Sequence, residues 1–172
     1  LFLLGTPSMI SEFEKAGFES VEGSAEERPD AVIVAFDKTL EYSRLCRAAW
    51  WVAQGLPYIA TNPDLVCPTE FGSVPDCGSV CIGIKNATGR EPVVIGKPSP
   101  LMPELAMQKD GYKKEESAVI GDRIYTDIKS GLNAGITGIL VLSGETTREI
   151  LEASEDEPHL VLEDCSEMIP YL

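Results

Sequence analysis

The amino-acid sequence predicts an α/β fold whose strands form a parallel sheet. Short apolar runs rich in Val and Ile recur along its 172 residues, and they rarely alternate with polar side chains. Continuous runs of this kind are typical of strands covered on both faces. Segments with apolar residues at helical spacing separate the runs. Most of these segments end at a glycine, which favours the left-handed stop of a helix.

Strand and helix signals alternate along the whole chain. The predicted strands cover residues 2–4, 31–36, 58–60, 93–95, 118–120, 138–142 and 159–162. The predicted helices cover residues 8–16, 42–54, 77–86, 100–109, 126–134 and 147–153. This alternation is the pattern of βα units, in which each helix connects two parallel strands.

A polar segment at residues 88–92 separates two βα regions, and we place a domain boundary there. The predicted domains are therefore residues 1–90 and residues 91–172. The chain begins inside a predicted strand and without a methionine. We therefore expect the natural protein to have residues before Leu1.

Composition narrows the classes of function. The hydrophobic fraction of 44% is enough for a packed core and too high for a disordered chain. The net charge is -14, with 28 acidic against 14 basic residues, so we expect no nucleic-acid partner. Five cysteines at irregular spacing form no zinc motif, which favours reduced thiols in a cytoplasmic protein. No apolar run is long enough to span a bilayer and no signal-peptide pattern is present, so we expect no membrane partner.

Two apolar runs end in glycine followed by a charged residue, in V-V-I-G-K-P and in A-V-I-G-D-R-I-Y-T-D. The first delivers Lys97, and the second delivers Asp122 and then Asp127. If a helix joins the two runs as parallel strands of one sheet, their carboxyl ends meet at the edge where such sheets bind ligands. One ammonium and two carboxylates there suit a phosphoryl group and Mg²⁺. The simpler alternatives are an ordinary surface lysine for Lys97 and a helix N-terminal charge for Asp127.

Other candidates have competing interpretations. Asn62 and Asp64, in I-A-T-N-P-D, are either a turn or a substrate-contacting loop. Asp37, in V-A-F-D-K-T-L, imitates a phosphorylated-aspartate motif, but no Gly-Thr follows it and Thr39 stands where a general acid is needed. His159, the single histidine, is predicted to be a surface residue, and Trp50 with Trp51 is predicted to serve packing or a partner surface.

These motifs resemble those of the haloacid dehalogenase (HAD) superfamily of phosphatases, in its NagD-like, p-nitrophenyl-phosphatase-like group. The resemblance runs along nearly the whole chain and is most specific in V-V-I-G-K-P-S-P followed by V-I-G-D-R-I-Y-T-D-I. It implies an α/β cap domain at residues 1–90 and the C-terminal half of a Rossmann-like HAD core at residues 91–172. It also implies that Lys97 contacts phosphate and that Asp122 and Asp127 hold Mg²⁺.

The same resemblance places Asn62 and Asp64 on a cap loop that faces the substrate, and it places Asp37 in the cap. The family's motif D-x-D-G-T, with the attacking aspartate, would lie upstream of Leu1. The implied function is a Mg²⁺-dependent phosphatase that acts on a small phosphorylated metabolite through an aspartyl phosphate, with a possible homodimer through the cap. The chain alone is then expected to be inactive. A non-catalytic binding protein and a phosphotransferase are the alternatives.

Overall fold

The computed structural model describes residues 1–21 and 27–171. The chain divides into two compact units, Leu1–Ile95 and Gly96–Leu172. The division thus follows Ile95, a few residues after the predicted boundary at residue 90. The assignment of the two parts as a cap and as half of a core stays a prediction.

The first unit contains a four-stranded parallel sheet and a separate hairpin. Its strands are β1 (Phe2–Leu4), β2 (Val32–Val34), β3 (Tyr58–Ala60), β4 (Val66–Thr69), β5 (Gly72–Pro75) and β6 (Val93–Val94). Its helices are α1 (Pro7–Lys15), α2 (Tyr42–Ala53) and α3 (Cys77–Thr88). The parallel sheet has the order β1-β2-β3-β6, and β4 pairs with β5 in antiparallel register.

Local chemistry explains where these helices begin and end. The Thr6 side chain accepts a hydrogen bond from Met9 N, and Pro7 occupies the first turn of α1. Asp76 caps α3 by accepting from Cys77 N, and Gly89 ends that helix with a φ of 72°. The two capped helices therefore follow the start and stop signals that the sequence carries.

The core of the first unit lies between its parallel sheet and its helices. Every residue of β1 and β2 is buried, as predicted for strands covered on both faces. The buried cluster consists of Phe2, Leu4, Val32, Val34, Ala48, Trp51, Val52, Leu56, Tyr58, Ala60, Cys77, Cys81 and Ile84. Burial of this much apolar surface is the main source of the unit's stability.

The hairpin formed by β4 and β5 was absent from the predicted elements. Its second strand begins directly after the turn, at Gly72, whose φ of 113° favours glycine. Pro68 and Pro75 lie in its strands, and proline argues against a central strand in a sequence pattern. The hairpin is largely exposed, so it also lacks the apolar run by which the other strands were identified.

The second unit contains a three-stranded parallel sheet in the order β7-β8-β9. Its strands are β7 (Ala118–Gly121), β8 (Thr137–Val141) and β9 (Leu160–Leu162). Its helices are α4 (Leu101–Asp110), α5 (Lys129–Ala134) and α6 (Arg148–Ala153). The buried cluster is small and consists of Ile124, Ile128 and Leu140.

Two expectations about this region are corrected by the structure. The strands at 93–95 and 118–120 were expected to lie in one sheet, but β6 pairs with β3 and β7 pairs with β8 in separate sheets. Strands that follow each other in sequence tend to pair, but this is only a tendency. Here β6 belongs to the first unit and forms its hydrogen bonds with β3 of that unit. The helix predicted at 126–134 begins as a π-helical turn at Ile124–Ile128 and continues as α5.

No helix in the described ranges 1–21 and 27–171 is long and apolar enough to cross a bilayer.

Candidate active site

The structure brings Lys97 and Asp127 together within the second unit. Lys97 Nζ donates to Asp127 Oδ1 in an ion pair. The Asp127 side chain is only 10% exposed, whereas the lysine is about half exposed. The other carboxylate oxygen, Asp127 Oδ2, accepts a hydrogen bond of 3.1 Å from Arg123 N. The acid is thus oriented from both sides, and it holds the ammonium at a partly open position.

The π-helical turn and Gly121 explain the position of Asp127. The turn carries the chain back toward the end of β7, where Gly121 is the last residue. A Cβ atom on Gly121 would lie 2.4 Å from Asp127 Cβ and 2.7 Å from its Oδ2. Only glycine leaves room for the carboxylate, which explains the glycine in G-D-R-I-Y-T-D. Single π-helical turns of this kind occur often at functional sites.

Asp122 follows β7 directly and lies against the loop at residues 143–146. Its Oδ2 accepts a hydrogen bond of 2.8 Å from Glu145 N, and its carbonyl oxygen accepts from Thr146 N at 3.1 Å. A Cβ atom on Gly144 would lie 2.1 Å from Asp122 Oδ2, so glycine is again required there. The sequence analysis did not predict a role for this loop, because its local pattern does not indicate a contact with Asp122. The glycine in V-L-S-G-E-T after a strand was the available signal.

The loop that carries Lys97 is braced by α5. Ser130 Oγ donates to the carbonyl oxygen of Ser99 at 2.9 Å, and Asn133 Nδ2 donates to that of Pro98 at 2.8 Å. Neither side chain belonged to the predicted site. Both fix the backbone next to Lys97, so they limit where its ammonium can reach.

The side chain of Arg123 points toward the loop at 143–146 and not toward Asp127. It forms an ion pair with Glu145. Desolvation acts to lower the pKa of the Arg123 guanidinium, but the charges of Glu145, Tyr125 and Asp122 together raise that pKa above its ordinary value. This cation is therefore neutralised locally, and Lys97 carries the positive charge beside the acids.

A cavity of about 570 Å³ opens beside this ion pair within the second unit. Lys97 and Asp127 line one part of it, and apolar side chains of α4 and β7 line much of the rest, Met102 and Val119 among them. A volume of this size accommodates a small molecule. Asp110 and Glu116 also line it, so the cavity has an ammonium and several carboxylates beside its apolar surface.

Asn62 and Asp64 lie in the first unit, where they form a turn. Asn62 Oδ1 accepts a hydrogen bond of 3.0 Å from Asp64 N, as expected for an asparagine turn. Their predicted contact with substrate stays a prediction.

The Asp37 carboxylate is engaged internally. Its side chain is 1% exposed, accepts from the backbone and hydroxyl of Thr39, and pairs with Arg44 at 3.2 Å. The guanidinium of Arg44 also donates to the carbonyl oxygen of Leu3 at 2.7 Å. The D-K-T motif therefore closes a turn and ties it to α2 and β1, which gives Asp37 a structural role in the first unit.

Two buried thiols, Cys77 and Cys81, face each other on successive turns of α3 with their sulfur atoms 4.0 Å apart. The hydrogen bond between them lowers the pKa of Cys77 to about 7 and raises that of Cys81. Cys77 Sγ also donates to the carbonyl oxygen of Val34 at 3.2 Å. The pair belongs to the core of the first unit, whereas the acids belong to the second.

Asp122 and Asp127 of the second unit are the candidate ligands for a metal ion. No group of three or more His, Cys, Asp or Glu side chains in the described part of the chain is placed to hold one. Mg²⁺, however, is commonly bound by one or two carboxylates together with waters and substrate oxygens. Asp122 and Asp127 follow one strand end and offer oxygen atoms of this kind. The donor set fits a magnesium ion that keeps several other ligands.

The chain is similar to several known proteins. A HAD-hydrolase-like family model matches residues 94–168. The ribonucleotide monophosphatase NagD of Escherichia coli is 35% identical over 97% of this chain and 64% of its own length. The crystal structure of 4-nitrophenylphosphatase from Thermotoga maritima matches 97% of this chain and 63% of its own, with 48% identity and a TM-score of 0.86.

A third relative is covered further. The p-nitrophenyl phosphatase from Archaeoglobus fulgidus is 31% identical, with a TM-score of 0.88, over 99% of this chain and 67% of its own. The described α/β elements therefore recur in phosphatases whose chains are longer than this one. The chain belongs to the haloacid dehalogenase-like hydrolases, in the NagD-like group.

Proposed function

We propose that the whole protein is a Mg²⁺-dependent phosphatase that hydrolyses the phosphomonoester of a small metabolite. The observation that carries the proposal is the Lys97–Asp127 ion pair, which lies beside a cavity. Asp122 and Asp127 both follow the end of the same strand, β7. The printed names of the relatives add support, because one is a ribonucleotide monophosphatase and two are nitrophenyl phosphatases. These names differ in substrate, so they support the reaction class more than any one ester.

Lys97 is proposed to bind the phosphoryl oxygens. Its ammonium is partly exposed at the cavity and is held by a carboxylate that is itself oriented by Arg123 N. A fixed cation that faces a transferring phosphoryl group stabilises the charge of the transition state without having to reorganise. Asp127 therefore acts as the residue that sets the direction of Lys97.

Asp122 and Asp127 are proposed to hold Mg²⁺. A carboxylate has about four lone-pair sites on its two oxygens, so Asp127 can bind a metal ion in addition to the hydrogen bonds that it accepts. Mg²⁺ would supply charge neutralisation of the phosphoryl oxygens. The protein's own contribution is to hold both acids close to the end of β7.

Hydrolysis is proposed to proceed through an aspartyl phosphate on an aspartate that lies outside this chain. Asp37 is a poor nucleophile, because its carboxylate is buried and bonded to Thr39 and Arg44. The first unit is proposed to be the cap, with Asn62 and Asp64 contacting the substrate.

Hydrolysis of p-nitrophenyl phosphate tests the proposal. We expect the whole protein to turn over with Mg²⁺ and to lose activity in EDTA, and the 172-residue chain to be inactive. Lys97→Met in the whole protein should lower kcat/KM by about 10²–10³-fold, the range found when a preorganised hydrogen-bond donor to the transition state is removed. Asp122→Asn should also lower kcat/KM, because it removes the charge of a proposed Mg²⁺ ligand. Lys109→Met is the matched control, since Lys109 is an exposed lysine at the end of α4.

Two results would contradict the proposal. One is a folded whole protein that binds phosphate esters and does not hydrolyse them, which would indicate a binding protein. The other is turnover by the 172-residue chain that disappears in Asp37→Ala, which would identify Asp37 as the nucleophile. Transfer of the phosphoryl group to an added sugar, measured beside release to water, would separate a phosphotransferase from a hydrolase.

A further inference from the structure

We infer that Thr146, together with the loop at residues 143–146, is a positioning device that fixes Asp122 so that one of its carboxylate oxygens faces a divalent cation. The inference rests on the proposed function and deepens it. It concerns a residue that is not adjacent in sequence to the acids and that carries no charge. All of the contacts involved lie within the second unit.

Thr146 forms hydrogen bonds to the two peptide groups that flank Arg123, directly after Asp122. Its backbone N–H donates to the carbonyl oxygen of Asp122 at 3.1 Å. Its hydroxyl oxygen accepts from Ile124 N at 3.1 Å. The residue is 1% exposed, so water cannot replace either partner. Thr146 therefore fixes the backbone at Asp122 and at the two residues that follow it.

The carboxylate itself is oriented by the two residues before Thr146. Glu145 N donates to Asp122 Oδ2 at 2.8 Å. The Gly144 backbone lies so close that an added Cβ would be 2.4 Å from Asp122 Cγ. In the described part of the chain no hydrogen bond reaches Asp122 Oδ1. The loop thus engages one oxygen and leaves the other one available for a cation.

The side chain of Glu145 extends the same attachment along the chain. Its carboxylate pairs with Arg123 Nε and accepts a hydrogen bond from the hydroxyl of Tyr125. Each of the four residues from 122 to 125 is therefore bonded to the loop at 143–146. The negative charge of Glu145 is compensated by Arg123, so it adds little repulsion next to Asp122.

Loss of the Thr146 hydroxyl has a defined consequence. The N–H of Ile124, a residue that is 2% exposed, would be buried without a partner. An unsatisfied buried donor carries a desolvation cost, and the segment can relieve it only by moving. Movement of that segment turns the Asp122 carboxylate. Partners that orient metal ligands change metal affinity or activity by about 10–100-fold when removed.

The test measures Mn²⁺ binding to the whole protein by electron paramagnetic resonance, with Mn²⁺ as a probe for the Mg²⁺ site. We expect Thr146→Val, which keeps the shape and removes the hydroxyl, to raise the Mn²⁺ Kd by about tenfold. Thr146→Ser should restore the Kd to within about threefold, since it restores the acceptor. Thr137→Val is the matched control, because Thr137 is an exposed threonine at the start of β8.

Gly144→Ala tests the same inference without touching the hydroxyl. The added Cβ must displace the Asp122 carboxylate, so the Mn²⁺ Kd should rise at least as much as in Thr146→Val. Thermal unfolding in EDTA shows whether each variant is folded before metal is added. If Thr146→Val does not fold, Gly144→Ala decides: a raised Kd supports the inference, and an unchanged Kd overturns it.

The outcomes separate this inference from the proposed function. A wild-type protein that neither binds Mn²⁺ nor hydrolyses p-nitrophenyl phosphate overturns the proposed function and the inference with it. A wild-type protein that does both, with an unchanged Kd in folded Thr146→Val, overturns the inference alone. Equal Kd values in the Val and Ser variants, both weakened, would also overturn the role of the hydroxyl.

Discussion

The two compact units of the chain differ in the kinds of residue that they bury. The first unit buries a continuous apolar cluster that includes Phe2, Leu4 and Trp51, and every residue of β1 and β2 is buried. The second has a buried cluster of three apolar residues. Among the described residues, four of the five that are buried and polar lie in the second unit, namely Thr126, Asp127, Ser130 and Thr146.

The difference agrees with the proposal that the site lies in the second unit. A buried polar group must be hydrogen-bonded, and such groups specify geometry more than they add stability. Asp127, Ser130 and Thr146 each bond to a segment that carries or adjoins a predicted site residue. The buried polar side chains of the second unit thus hold the segments that carry Lys97, Asp122 and Asp127. The interior of the first unit is instead mainly a packed apolar core.

The largest expected effect on stability comes from the first core. Trp51 is 3% exposed, so Trp51→Ala should lower the free energy of unfolding by about 3–5 kcal/mol, the usual cost of truncating a buried aromatic residue. Urea unfolding followed by circular dichroism measures it. The neighbouring Trp50 is 42% exposed, and Trp50→Ala should cost only about 1 kcal/mol.

That pair of variants also tests the division of roles. In protein that is still folded, Trp51→Ala should leave the Kd for Mn²⁺ unchanged, because the acids belong to the other unit. Equal stability losses in the two tryptophan variants, or a weakened metal affinity in Trp51→Ala, would break the comparison.

The next effect is expected at a glycine of the second unit. Gly121→Ala places a Cβ 2.4 Å from Asp127 Cβ, so the acid must move and release Lys97 from its position. A displacement of about 1 Å can cost about 10²-fold in rate, and we expect a loss of that order in kcat/KM for p-nitrophenyl phosphate.

Gly83→Ala is the matched control in the first unit. Nothing lies within 4 Å of its added Cβ, and the position is inside α3. This substitution should stabilise the protein by about 0.5–1 kcal/mol and leave kcat/KM unchanged. Similar kinetic losses in both glycine variants would argue that Asp127 is not held by close packing.

The smallest effect concerns the brace on the Lys97 loop. Asn133→Ala removes the hydrogen bond to the carbonyl oxygen of Pro98 and should cost about 1 kcal/mol, measured by differential scanning calorimetry. Asn86→Ala, at an exposed position of α3, should change stability by less than about 0.5 kcal/mol. A lower unfolding temperature in Asn133→Ala than in Asn86→Ala would support the role of the Asn133 hydrogen bond. Identical unfolding temperatures would contradict it.

Much of the fold was readable from local pattern. Helix α3 was predicted to start at Cys77, where it does start, and β3 was predicted at residues 58–60, where it lies. Both have strong local signals: an aspartate cap before the helix, and a buried apolar run for the strand. The exposed hairpin of β4 and β5 has neither, and it was missed.

The site was readable in part. The glycine and charge at two strand ends named Lys97, Asp122 and Asp127, and the structure joins Lys97 to Asp127 directly. The route to that prediction was wrong, because the two strands belong to different sheets. The ion pair forms within the second unit, between the loop before α4 and the π-helical turn before α5.

The sequence by itself determined the α/β class, the alternation of elements and the residue types at the strand ends, because burial period, caps and glycine stops are local properties of the chain. Only the tertiary structure decided sheet membership, the engagement of Asp37 by Arg44 and the support of Asp122 by Thr146. These depend on which distant segments become neighbours, and a hydrogen bond between residues 22 positions apart leaves no trace in a local period.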